Sequence, residues 1–204
     1  MSLELYLAFI AACVVVAAVP GPMVALVVAN SLTHGARAGL ANVAGAQLGL
    51  AIMLGTLVVG LATVVATMGA WFDWLRLVGA AYLVWIGVKM LRAGGGGLAP
   101  GAVAAPRGGF FLQGLLVMLS NPKVLLFFGA FIPQFVDSGG DRATRVVVLG
   151  ATAMAVAALS DGAYALLAAR AARTLSRRRA RALTTAGGAM LVGGGIWMAL
   201  ARPR

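Results

Sequence analysis

The chain has 204 residues, 62% of them hydrophobic and 10% charged, with a mean hydropathy of +0.99. That is more apolar side chain than a globule of this length can hide from water, so the solvent is lipid and a soluble fold is excluded. The net charge of +11 does not point to nucleic acid, because the basic residues are dispersed between apolar runs except for "RAARTLSRRRAR" at 170–181. That distribution reads as membrane topology, and a polybasic contact with anionic membrane lipid is compatible with it. The runs are rich in Ala, Leu, Val and Gly and lack the alternation of a barrel strand, so the fold class expected is an all-α, polytopic membrane protein. A window of about 19 residues places apolar spans near 3–32, 39–67, 70–92, 110–135, 144–169 and 182–201.

The first span carries Glu4 and no basic leader, so it is expected to be retained rather than cleaved as a signal peptide. Cys13, the single cysteine, has no second thiol for a disulfide or a metal and reads as a packing residue. In the middle of this span stand Pro20, Gly21 and Pro22. A proline inside a helix costs about 3 kcal/mol, lacks an N–H and frees the carbonyl four residues back. In lipid it is retained only where something offsets that loss. The half-helix beginning at Pro22 offers bare N–H groups and a positive dipole end, suited to a carboxylate, while the half-helix ending before Pro20 offers carbonyls suited to an ammonium group or a cation. Together they match a zwitterion. A packing kink is the simpler reading of one isolated membrane proline.

Past the first loop, with His34 and Arg37 read as solvated, Gly35, Gly39, Gly45, Gly49, Gly55 and Gly60 recur on the second span and its approach, where small residues let helices pack closely. Asn30 and Asn42 read as interhelical hydrogen-bonding groups or helix ends, and Gln47 as a candidate substrate contact. The connection "RAGGGGLAPGAVAAPRGG" at 92–109 divides the chain into a first three-helix repeat at 1–92, a cytoplasmic Gly/Pro-rich linker at 93–109 and a second three-helix repeat at 110–204.

The fourth span contains "SNPKVLLFF" at 120–128, 100 residues after "PGPMVALVV" at 20–28. Pro22 aligns with Pro122, Val24 with Val124 and Leu26 with Leu126. Two breaks at corresponding places favour a functional site over two unrelated kinks, and three spans per half is odd, so the second half enters the membrane from the opposite face as an inverted repeat. Asn121, Pro122 and Lys123 are therefore candidate substrate-binding residues, while Pro133 reads as a helix boundary. In the fifth span Asp161 is the lone intramembrane carboxylate, with Ser160 beside it and Tyr164 one turn on. It is either a proton-coupling group or substrate-ammonium partner, or a structural ion pair, for instance with Lys123.

Loops one, three and five hold ten Lys and Arg residues, the opposite side five together with Glu4, Asp73, Asp137 and Asp141, so both termini are expected outside. No paired aspartates, zinc-binding His set or Ser with a base stand in the spans, so an enzyme is not expected, and no cofactor or metal is implied. A cation or metal exporter would have one carboxylate and no thiolate or His partner, a poor divalent site. A channel or a non-transporting membrane scaffold also stays open, with the broken helices speaking against the scaffold.

These residues resemble the LysE/RhtB family of amino-acid exporters. The likeness runs through "VPGPMVALVVANSLTHGARAGLANVAGAQLG", "GAAYLVWIGVKMLR" at 79–92 and "FLQGLLVMLSNPKVLLFFGAFIPQF" at 111–135, in matching order and spacing; the last two spans match in hydropathy and in the basic loop before the last. The resemblance implies a bacterial inner-membrane secondary exporter of small amino acids or related metabolites, driven by the proton gradient, and admits a homodimer. It points to Pro20, Gly21 and Pro22 and to Asn121, Pro122 and Lys123. Family members often carry an acidic residue after the glycine that matches Gly49, where this chain has Leu50, and that departure shifts the coupling role onto Asp161.

Overall fold

The computed structural model describes residues 1–18, 21–60, 77–78, 80–89, 91–92, 105–121, 123–124, 127, 131–135, 142–174 and 177–200. Among these the fold is all-α, with no strand. Helix α1 (Leu3–Ala18) starts where Ser2 Oγ accepts the Leu5 N–H at 3.3 Å. Helix α2 (Pro22–His34) starts one residue after extended Gly21 (φ −122°), with Pro22 in the first turn, where a missing N–H costs least, and Ala25 N–H closing onto the Gly21 carbonyl at 3.0 Å. The two helices meet at 55°, so the first apolar run is a bent pair, as the prolines predict.

Gly35 ends α2 with φ +83°, a left-handed value that favours glycine, and its N–H bonds the Ser31 carbonyl at 3.0 Å. One residue later α3 (Ala36–Gly60) begins and runs back along α2. Helix α4 is Ala80–Lys89. Gly108 and Gly109, at φ +90° and +79°, form the turn that launches α5 (Gly109–Leu119), and the Gly109 N–H bonds the Pro106 carbonyl at 2.9 Å. Ser120 and Asn121 lie outside the helix, the chain turns helically at Lys123 and Val124, and Pro133 lies in a short 3₁₀ turn, Ile132–Phe135. Helices α6 (Arg142–Thr174) and α7 (Arg177–Leu200) complete the described chain.

Helices α3 and α6 are each long and apolar enough to cross a membrane, as is the bent α1–α2 pair taken as one span. At 33 residues α6 is about 50 Å long, more than the roughly 30 Å of a bilayer's hydrocarbon core. This corrects the expected loop at 170–181: α6 continues to Thr174 and α7 starts at Arg177. The physical reason is that Arg, Ala and Leu are good helix formers, so the helix continues past the apolar segment. The expected spans near 39–67 and 70–92 are met in part, since 61–76 and most of the 93–109 linker lie outside the described residues.

The core lies between α2, α3, α5 and α6. Phe9 of α1 is fully buried against Phe127, Phe131 and Phe135, with ring centroids 5.2–6.1 Å apart. Such pairs contribute about 0.5–1.5 kcal/mol each beyond their buried area. The outward faces carry Val14, Val15, Leu159, Leu167 and Trp197, each more than half exposed, as lipid-facing helices do. Where helices meet, glycine sets the spacing: a Cβ on Gly45 would fall 1.9 Å from the Phe111 carbonyl oxygen, and one on Gly114 2.1 Å from that of Asn42. A Cβ on Gly87 would fall 2.6 Å from the Gly188 carbonyl oxygen, and one on Gly195 2.8 Å from that of Ala80, where α4 meets α7.

Candidate functional site

The two breaks face each other. A helical carbonyl at position 16 would ordinarily accept the N–H of residue 20, which in Pro20 does not exist. The Lys123 ammonium, from the other half of the chain, donates to the Val16 carbonyl instead. Its aliphatic stem runs past Gly21, where an added Cβ would sit 3.7 Å from Lys123 Cδ. The second break is capped from within. Pro122 would have served the Met118 carbonyl, which takes the Asn121 N–H at 3.0 Å; Asn121 Oδ1 accepts the Lys123 N–H at 3.2 Å, and its carbonyl the Val124 N–H at 3.1 Å. Asn121 is thus an N-cap for the turn that carries Lys123.

These groups line a cavity in which the centre of a water molecule can range over about 90 Å³. One water needs about 10–15 Å³ on that measure, so there is room for several waters or a solute the size of a small amino acid. Gly21, Asn121, Lys123 and Asp161 supply its polar wall. Asp161 is 7% exposed and comes from the middle of α6, and its charge and that of Lys123 attract across the cavity. The rest of the described wall is apolar: Cys13, Val16 and Ala17 of α1, Met23 and Val24 of α2, Leu50 of α3, Met118 of α5, Val124, Phe127, and Ala153 and Ala157 two turns and one turn before Asp161 on α6. Tyr6 and Thr152 hold α1 to α6 through a 2.8 Å hydroxyl contact.

Of the residues singled out from sequence, Gly21, Asn121, Lys123 and Asp161 come together at this cavity. Pro20 and Pro122 lie outside the described residues. Pro22 is not part of the wall and sits toward Gly194 of α7. Gln47 also stands apart from the wall, and its buried Nε2 has no hydrogen-bond partner among the described residues.

Asn30 and Asn42 form the interhelical bonds expected of them, with Gln113 as a partner that sequence reading missed. The Asn30 amide donates to Asn42 Oδ1 at 2.7 Å and to Gln113 Oε1 at 2.8 Å, and Asn42 Nδ2 donates to the Phe110 carbonyl at 2.6 Å. The network ties α2, α3 and α5 together between the cavity and the Gly35 turn. Cys13 is a buried core residue, as expected, and also lines the cavity. A legible signal for the α6 wall was the i, i+4, i+8 series Ala153, Ala157, Asp161, a small-residue stripe ending in an acid.

The family model described as LysE type translocator matches residues 14–202. The homoserine/homoserine lactone efflux protein of Salmonella typhimurium is 32% identical over 204 residues, 99% of each chain. The leucine efflux protein of Salmonella choleraesuis is 33% identical over 134 residues, 65% of this chain and 63% of that one. An uncharacterized membrane protein of Vibrio cholerae is 29% identical over 208 residues, 99% of this chain and all of that one. No solved structure matches the chain. With its apolar spans and a family match over nearly its whole length, the chain is a multi-pass membrane protein that belongs to the LysE type translocator family.

Proposed function

We propose that the protein is a secondary transporter that exports a small amino acid or related metabolite across the bacterial inner membrane, by proton antiport. It works as two inverted three-helix halves, 1–92 and 110–204, that rock about a site at the bilayer midplane, with both termini outside. The observation that carries the reading is the meeting of Gly21, Asn121, Lys123 and Asp161, from both halves of the chain, at one cavity between broken helices. The first turn of α2 and the Lys123 ammonium suit a carboxylate, and Asp161 suits an ammonium or a proton. The efflux activities named for the relatives concern homoserine, homoserine lactone and leucine, of which homoserine and leucine are zwitterions with uncharged side chains and the lactone keeps only the amino group.

The apolar wall narrows the substrate class. Met23, Leu50, Met118 and Phe127 surround the space a side chain would fill, which favours an uncharged, aliphatic amino acid over a basic one. Counterflow in proteoliposomes tests the function: vesicles loaded with unlabelled leucine or methionine should take up the labelled amino acid, and protein-free vesicles should not. Absence of counterflow with every neutral amino acid tried would refute the carrier. Within the same assay Leu50→Asp is expected to lower leucine exchange by about tenfold or more, since burying a leucine side chain contributes roughly 1.5–3 kcal/mol and each 1.4 kcal/mol is tenfold.

A further inference from the structure

A carrier that exports one solute per cycle must return with its site empty, and an empty site of this kind is electrically awkward. Pro20 and Pro22 have no N–H to give to the carbonyls at the end of α1, and Val16 and Ala17 there line a cavity whose described wall is largely apolar. Exposed polar groups of that sort cost several kcal/mol each when moved through a low-dielectric barrier without a partner. The structure provides a partner from within: the Lys123 ammonium donates to the Val16 carbonyl, on the negative end of the α1 dipole. The carbonyl end of the half-helix before Pro20 is also the place that its dipole suits to the ammonium of a bound amino acid, which leaves Asp161 for the proton.

We infer that Lys123 is a tethered counter-cation that stands in for the substrate's ammonium group at the end of α1, so that the carrier can reorient empty. The inference rests on the transport reading and adds to it a division of labour. When an amino acid enters, its ammonium displaces Lys123 from the Val16 carbonyl, and the released lysine, held by the Asn121 cap at its own backbone N–H, turns to the substrate's carboxylate. When the amino acid leaves, Lys123 returns. On the return limb Asp161 carries the proton of the antiport cycle, the α1 carbonyls are the negative pole that is left, and Lys123 covers them. Gly21 leaves space for the swing, because its missing side chain lies beside the lysine stem.

Net efflux and exchange separate the two limbs, since exchange never needs the empty carrier to cross. In proteoliposomes loaded with labelled leucine, Lys123→Ala should lower both rates, but net efflux into leucine-free medium should fall further, raising the ratio of exchange to net efflux by about tenfold or more, the scale of one hydrogen bond to a charged group. Pro20→Ala tests the same contact from the acceptor side, because a residue with an N–H at position 20 competes for the Val16 carbonyl; the ratio should rise there too. Ethylammonium added on both sides should restore net efflux to Lys123→Ala and leave its exchange rate nearly unchanged. An unaltered ratio in either variant, with the protein monodisperse in detergent, would overturn the inference and assign Lys123 to substrate binding or structure alone. Lack of exchange in the unsubstituted protein would instead strike the transport reading itself.

Discussion

Asp161→Asn should leave a folded carrier that exchanges amino acid but no longer concentrates it against a pH gradient. Asp161 is buried on the middle of α6 and faces the same cavity as Lys123, Cys13 and Asn121. A carboxylate there can bind and release a proton as the cavity opens to either side, whereas an amide of nearly the same shape cannot. For a carrier that moves one proton inward for each amino acid outward, one unit of pH difference is worth about 1.4 kcal/mol, or up to about a tenfold concentration ratio. The sign is fixed by the direction of exchange: acid on the outer side should drive efflux, and alkali there should slow it. In proteoliposomes with a one-unit gradient, the unsubstituted protein should approach that ratio and Asp161→Asn should stay near equality. A substituted protein that still builds the gradient would place the coupling group elsewhere.

That prediction depends on a residue visible in the sequence, but its surroundings were only partly legible there. An acid inside an apolar run stands out because the membrane penalises it, and a proline stands out because its covalent chemistry removes a donor. The breaks at 20–22 and 121–123 could therefore be located from residue type alone, whereas Gly35, read as a packing glycine, ends α2 in a left-handed turn. What could not be read was the partner. The Val16 carbonyl belongs to a residue with no chemical distinction, and Lys123 reaches it from 107 positions away. Gln113 was missed because one amide in an apolar helix looks the same whether it meets Asn30 across the bundle or a neighbouring turn. Phe127, Phe131 and Phe135 were missed as a unit because i, i+4 spacing in an apolar run is ordinary core, and Phe9 lies in another half of the chain. The basic cluster was misplaced for a different reason: charge density signals the membrane boundary, while the helix itself ends where backbone hydrogen bonding ends. Gln47, expected as a substrate contact because it is polar at membrane depth, is not among the residues that line this cavity.

The packing of α3 on α5 yields the second large effect. These helices belong to different halves, and they approach so closely that Gly45 lies against the Phe111 carbonyl and Gly114 against that of Asn42. A methyl group at either position meets backbone, which cannot rotate aside as a side chain can, so the helices must separate. Separation also stretches the bond from Asn42 Nδ2 to the Phe110 carbonyl and the amide contacts to Gln113. Overpacking costs about 1–3 kcal/mol before the polar network is counted, so Gly45→Ala and Gly114→Ala should each lower the melting temperature in detergent by about 5 °C or more. Gly55→Ala on the same helix is the control: among the described residues nothing lies within 4 Å of its added methyl group, and it should melt within about 2 °C of the unsubstituted protein or slightly higher, as alanine favours helix. If the halves rock about this contact, a wedge at Gly45 changes the balance of inward- and outward-facing forms as well as stability. Exchange should then fall by more than the folded fraction recovered by size exclusion accounts for. A Gly45→Ala protein with the melting temperature of Gly55→Ala would show that α3 and α5 do not meet at backbone distance.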